Sequence, residues 1–438
     1  MATSPRCGVR VEMAMTSGCG TRLEVAMQAA AGIALLAALA LGCGARGPAV
    51  APGERRELAH AGRGHEGGPS DVALAALPGG GLAVAFGRSG ADGDGTHVFV
   101  ARADDRSPEP VRVDPSDLAV EPLHQAPGLA AGPDGSLYVS WQSAKPKPPG
   151  TLFASDLRVS RSADGGRAFA PPLRVNADRP LSHAFEGLAV APDGRLLVAW
   201  IDGRGEGGLP ATWLAALDDG AARVGPELRL GESTCVCCRV HVATGPEGRV
   251  AVLWRDERPG RVRDMVLALS TDGGRSFAPR GLVHADGWAL DACPHRGGQA
   301  AFDRAGRLAA VWYTEGAKAR PSLRLATADR SGRFGPPREL HGAVESVPDR
   351  AALALAPDGA GLVAYEALTA VRSEIVVLGL ADGGRALGPP LVLSRAVKAS
   401  APAVAWVADR EFAVAWNEEA FPGATTVVQR VRVEDAAR

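Results

Sequence analysis

The chain of 438 residues is 46% hydrophobic and holds 55 glycines and 33 prolines, a composition that suits a large, turn-rich globular protein and excludes a disordered one. Its formal net charge of −1 supplies no electrostatic attraction for nucleic acid or an anionic membrane surface. Nucleic-acid partners are therefore not expected.

In chain order the first feature is an apolar run, Met27–Gly42, preceded by Arg22 and ended by Cys43. It has the size of a signal-peptide core and is short for a membrane span. Ala40-Leu41-Gly42-Cys43 resembles a bacterial lipobox, which implies lipidation of Cys43 and export to the cell envelope as an outer-membrane or periplasmic lipoprotein. An ordinary cleaved signal and an uncleaved anchor are the alternatives. Residues 1–43 are thus read as a signal segment, 44–54 as a tether and 55–438 as the folded domain, with the membrane touched only through the lipid.

Seven related stretches follow. Gly187–Trp200, GLAVAPDGRLLVAW, joins two short apolar runs through Pro192-Asp193-Gly194. That is a hairpin signal, because Pro presets one turn dihedral and Gly accepts the positive φ that another requires. Its copies end at Phe86, Trp141, Trp254, Trp312, Tyr365 and Trp416, so the terminal aromatic recurs every 51 to 59 residues. A period in that range marks a propeller or a solenoid.

A second hairpin follows each first one. Two of its turns, Ser162-Ala-Asp164-Gly-Gly166-Arg-Ala-Phe169 and Ser270-Thr-Asp272-Gly-Gly274-Arg-Ser-Phe277, resemble the Asp box, S-x-D-x-G-x-x-[FW], of sialidase-like and BNR-repeat proteins. There the box joins the third and fourth strands of a blade: its Asp bonds backbone N–H groups, its Gly takes the unusual dihedral and its aromatic packs beneath. The role is structural. Degenerate versions lie at Thr327–Phe334 and Leu380–Leu387. The resemblance covers most of residues 55–433 and implies an all-β fold, a seven-bladed β-propeller, with six blades as the rival count. The last repeat supplies only three strands. Arg55–Ala61, RRELAHA, is similar to the fourth strands PPLRVNA and PPRELHG, so an N-terminal strand is expected to close the ring and remove its open edge. This topology puts the Pro-Asp-Gly turns and Asp boxes on one face and the long, irregular links on the other, where function generally sits.

Beyond Cys7, Cys19 and Cys43, four cysteines remain. Cys235, Cys237 and Cys238 lie in the link entering the fourth repeat, and Cys293, with His295, lies in the link entering the fifth. Both links belong to the irregular face of adjacent blades, so four thiols and an imidazole are expected to converge. An exported protein favours two disulfides. Three cysteines within four residues favour a soft thiolate site for Zn²⁺ or Cu(I). Both readings stay open, as does one disulfide with a spare thiol pair for redox work. The neighbouring charged loop, Trp254–Asp264, offers Arg255, Asp256, Arg263 and Asp264 as supports for metal ligands, as an anion site, or as a solvated, self-paired loop. The arrangement TCVCCRV, RDERPGRVRD and DGWALDACPHRGG is similar to that of a cysteine-bearing subset of bacterial proteins labelled exo-α-sialidase.

Sialidase chemistry would need three arginines on the substrate carboxylate, a tyrosine nucleophile activated by glutamate and an aspartate acid/base. The family's Arg-Ile-Pro motif is missing, and the tyrosines are Tyr138, Tyr313 and Tyr365. Tyr365-Glu366 has the right residue types, yet Tyr365 occupies the repeat's packing position. His65, His124 and His183 fall in links and can form a ring of imidazoles. Asp202 and Glu206 can pair as acid and base or simply make a turn. Three functions are weighed. One is handling of a metal or redox cofactor through Cys235, Cys237, Cys238, Cys293 and His295, with Arg255 and Asp256 behind them. The second is exo-acting hydrolysis of a small acidic sugar by Arg255, Asp256, Arg263, Asp264 and Glu366. The third is a non-catalytic scaffold for envelope proteins. A monomer is expected in each case.

Overall fold

Each apolar repeat folds as an antiparallel hairpin. In the third, Ala184–Val190 pairs with Leu196–Asp202, Val190 opposite Leu196 and Gly187 opposite Ala199. Between them Gly194 takes φ +85°, its N–H donates to Ala191 O at 2.9 Å, and Ala191 N–H donates to Arg195 O at 2.8 Å. Gly supplies that left-handed turn position without the cost a Cβ would bring.

The computed structural model describes residues 49–59, 71–89, 95–105, 109–115, 120, 126–147, 149, 153–218, 220–342, 346–420 and 423–435, all within the unit Ala45–Arg438. Its strands form antiparallel meanders that start at Ala73–Ala76, Gly128–Ala131, Ala184–Val190, His241–Thr244 and Gly298–Phe302. A nine-stranded sheet completes the set. It consists of one meander from Val347–Leu355 and another from Lys398–Ala408, joined by a single parallel pairing of Ser373 with Lys398. The first strand of each meander touches the first strand of the next, and Lys398–Ala408 returns to touch Ala73–Ala76. The arrangement is propeller-like.

Burial explains the repeat. Phe86, Trp141, Trp200, Trp254, Trp312, Tyr365 and Trp416 are each no more than 2% exposed. They pack in clusters that draw on neighbouring meanders, as Trp254 does with Leu197, Ala199 and Val242. An aromatic ring buries 150–250 Å², roughly 4–6 kcal/mol of apolar transfer per repeat. These rings help hold sheet to sheet, because the strand-ladder hydrogen bonds run within a sheet.

The N-terminal strand, Ala49–Ala59, lies antiparallel to Gly423–Glu434, from Ala49 opposite Glu434 to Ala59 opposite Thr425. It begins earlier than the sequence suggests, so residues 49–54 belong to this strand, with residues 49–52 already paired, instead of forming a tether. The pairing register continues to Ala59 through an irregularity between Pro52 and Arg55. Arg55 fastens it with an ion pair to Glu418 at 2.9 Å and its guanidinium 5.3 Å from the Trp416 ring.

Both octet turns have the hydrogen bonds of an Asp box. Asp272 Oδ1 accepts from Arg275 N and Ser276 N at 2.9 Å each and from Ser270 Oγ at 2.7 Å, while Gly274 N donates to Ser270 Oγ at 2.9 Å. Asp164 repeats the pattern with Ser162, Gly166, Arg167 and Ala168. Phe169 and Phe277 pack against the apolar clusters below. The boxes share a face with the hairpin turns: Gly273 N donates to Gly248 O at 2.8 Å, and Arg195 Nη2, from the preceding meander, donates to Gly273 O at 2.6 Å. The links gather on the opposite face.

Candidate functional site: a cysteine–histidine cluster beside an axial cavity

The link Gly231–Val240 is fixed to its own meander and to the preceding one. Cys235 N donates to Arg255 O at 2.8 Å, Glu257 N to Ser233 O at 3.1 Å and Val240 N to Phe185 O at 2.9 Å. So held, Cys235, Cys237 and Cys238 are at most 3% exposed. Cys235 Sγ lies 3.3 Å from Cys238 Sγ and 3.8 Å from Cys237 Sγ. The second link brings exposed Cys293 and His295 to the same place, where Cys237 Sγ, Cys293 Sγ and a His295 ring nitrogen lie within 4.8 Å of one another. None of these four cysteines forms a disulfide. Convergence of the two links therefore matches the sequence argument.

Arg263 enters this cluster directly. Its Nη1 donates to Cys235 Sγ at 2.8 Å, and its Nε donates to Leu290 O at 2.9 Å, which ties the charged loop to the second link. Arginine has only donors, so Cys235 must accept. Hydrogen bonding with Cys237 and Cys238, and Arg263 beside them, hold the Cys235 thiol well below the ordinary range. The same sharing with Cys235 pushes Cys237 up, and burial pushes Cys238 up. The thiol most readily ionised thus lies beside two that hold their protons more tightly, protons that a metal ion would displace on binding.

The other candidates are spent differently. Arg255 is buried and donates to backbone carbonyls, Arg263 O and Tyr313 O at 2.7 Å and Arg296 O at 3.1 Å, with its guanidinium 4.8 Å from the Trp288 ring. It braces the loops and acts on Cys238 only through its charge. Asp256 pairs with Arg280 at 3.0 Å. Asp264 pairs with Arg258 and accepts from Gly287 N at 3.0 Å. Glu366 accepts from Ala401 N at 2.5 Å, in another meander. Arg255, Asp256, Arg263, Asp264 and Glu366 thus do not meet as one constellation. Tyr365 and Glu366 are strand neighbours and point to opposite faces; Tyr365 OH instead lies 3.1 Å from His341 Nδ1.

His183 is fully buried, its Nδ1 2.7 Å from Ser155 O, and burial lowers its pKa. His65, His124 and Cys43 lie outside the described residues. Asp202 is committed to Arg204 at 2.7 Å and to Trp200 Nε1 at 2.8 Å, while Glu206 sits exposed in the turn Glu206–Gly208. They do not form an acid/base pair.

Beside the cluster is a cavity of about 310 Å³ where the first strands begin, lined by Asp71, Arg239, His295, Arg296, Tyr313 and Arg350 among others. Its geometry follows from the repeat. Asp71, Ala126, Arg239, Gly297, Arg350 and Ala401 each stand fifteen residues before their repeat aromatic, and all six line the cavity. That shared offset was readable in the sequence. So was Tyr313-x-Glu315, whose two residues face one way by alternation; Tyr313 OH donates to Glu315 Oε1 at 2.8 Å.

Compared with known proteins, the chain matches no family model and no curated protein. Among solved structures it is similar to a Dyadobacter fermentans protein of unknown function, at 14% identity and TM-score 0.52, over 88% of this chain and 99% of that one. It is also similar to an ulvan lyase, at 9% identity and TM-score 0.53, over 85% and 95%. A Trypanosoma rangeli sialidase aligns at 12% identity and TM-score 0.48, over 87% and 60%. At such identities the likeness concerns the fold alone, an all-β, propeller-like one.

Proposed function

We propose that this protein is an exported, lipid-anchored, seven-bladed propeller of the sialidase-like, Asp-box type that binds a thiophilic metal ion, Zn²⁺ or Cu(I), in the bacterial envelope. The blade count is supported by the cyclic contacts of the first strands and by the division of the nine-stranded sheet into two meanders. The metal reading rests on one observation: three buried sulfurs, with a fourth sulfur and an imidazole adjoining, in a link fixed on both sides.

The donor set fits the ion. Zinc–sulfur bonds of about 2.3 Å in a tetrahedron put neighbouring sulfurs about 3.8 Å apart, and Cys235 and Cys237 are 3.8 Å apart. Thiolate and imidazole donors suit Zn²⁺ and Cu(I) over harder cations. Dithiol redox chemistry fits less well, because the activated sulfur, Cys235, is fully buried and a thiol–disulfide substrate needs access to it.

The test is metal content together with free thiols on protein purified without chelator. Bound zinc or copper, with thiols that titrate only after chelation or unfolding, is the expected result. Protein with neither metal nor titratable thiol contains disulfides instead and overturns the reading.

Hydrolysis of an acidic sugar has one observation in its favour: Tyr313, which lines the cavity, donates its OH to Glu315. Against it, the cavity's guanidinium groups are already matched. Arg296 is bidentate to Asp349 at 2.7 and 2.8 Å, Arg350 pairs with Asp71, and Arg239 donates to Glu186 O and Ala126 O. A substrate carboxylate would have to displace these partners. Turnover of a fluorogenic sialoside, lost in Tyr313→Phe, would reverse this preference.

A further inference from the structure

The five ligand atoms fall into two groups, not one. Cys235, Cys237 and Cys238 form the first, buried throughout; Cys237, Cys293 and His295 form the second, exposed at Cys293 and His295. Only Cys237 belongs to both. Donors on one tetrahedral ion with bonds of 2.0–2.3 Å lie no more than about 3.8 Å apart, so a single ion serves one group and strands the other.

Resting on the metal reading above, we propose that the cluster is a binuclear centre in which the Cys237 thiolate bridges two thiophilic ions. The inner ion is held by Cys235, Cys237 and Cys238. The outer ion is held by Cys237, Cys293 and His295. A thiolate sulfur has lone pairs enough for two ions. Charge supports the pairing as well: with all four cysteines ionised, one Zn²⁺ leaves two negative charges in a partly buried site, whereas two Zn²⁺ leave none, and uncompensated buried charge is costly. With two Cu(I) the residual charge faces Arg263, already 2.8 Å from Cys235 Sγ.

The two positions differ in access. His295 lines the axial cavity. Each ion has three protein ligands, but those of the inner ion are all buried, whereas Cys293 and His295 of the outer one are exposed. The outer ion is therefore the exchangeable one and the inner ion the resident one.

The experiment uses the full chain, reconstituted anaerobically with Zn²⁺ and, in parallel, with Cd²⁺ for cadmium NMR. Two ions per chain and two cadmium resonances coupled to each other through the shared sulfur are expected. The double variant Cys293→Ser/His295→Ala, altered at exposed positions, should keep one ion and one resonance. Cys237→Ser should abolish the coupling. One ion in the wild type, whether or not the double variant retains it, overturns the binuclear centre and leaves metal binding intact. Two uncoupled resonances overturn the bridge. No bound ion overturns the metal reading itself.

Discussion

Glu366 and Arg263 show how single residues express their surroundings in solution. Burial raises the Glu366 carboxyl from 4.5 to about 7, against the opposing hydrogen bond from Ala401 N and the charge of Arg350. Between those values the folded state binds more protons than the unfolded one, so stability falls as pH rises through the window, by about 3 kcal/mol in all. Glu366→Gln should flatten that dependence, as read from denaturant midpoints between pH 4.5 and 7; an unchanged slope would assign it to other groups. For Arg263, loss of the guanidinium beside Cys235 should weaken metal binding about 10–100-fold, the usual cost of losing a group that supports a ligand. Competition of Arg263→Gln with a chromophoric chelator measures this. At this scale the sequence points to the cysteines by their density. It does not separate Arg263 from Arg255, since only three-dimensional placement sends one guanidinium to sulfur and the other to backbone carbonyls.

Turns and strand entrances make up the next scale. In the second box one carboxylate, Asp272, organises the turn between Met265–Ser270 and Gly281–Leu282 through bonds to Arg275 N, Ser276 N and Ser270 Oγ. Asp272→Ala should cost about 1–2 kcal/mol, by analogy with loss of a helix N-cap that satisfies similar backbone donors, with the metal site unaffected. Equilibrium unfolding checks the first part and metal content the second. Strand entrances follow a rule of their own. Phe185, Arg350 and Ala401, each fifteen residues before a repeat aromatic, have φ of +57°, +37° and +58°, and the strand register shifts beside each. Bulges re-aim side chains, and here they turn the entrance of the strand, and with it Arg350, toward the cavity. Alternation rules predict the strands but not these bulges, which arise where the chain bends from a link into the innermost strand.

Across the whole molecule, the two ends of the described chain share one sheet. Leu58 is buried against the cluster containing Val428, Phe86 and Ala415, and Arg55 reaches Glu418. Removal of residues 49–59 should leave Gly423–Glu434 as an open edge, a template for association. The truncated protein is expected to unfold at a lower temperature and to form soluble oligomers; size-exclusion chromatography coupled to light scattering distinguishes this from an unchanged monomer.

By itself the sequence determined what is periodic or local. The repeat aromatics, the Pro-Asp-Gly turns and the Asp boxes each depend on residues close in the chain or on a fixed spacing, so hydrophobic alternation and turn chemistry suffice to read them. The closing strand was legible through its likeness to other fourth strands, although its start at Ala49 was not, because residues 49–54 lack the apolar alternation of the inner strands. The meeting of Cys237 with Cys293 and His295 was legible once adjacent repeats were assigned. Only the tertiary structure decided how those ligands divide into two groups about one sulfur, which arginine serves them, and that the cavity's charges are already paired. Each of these is a matter of ångströms between side chains from links that share no local pattern, and no spacing along the chain encodes it.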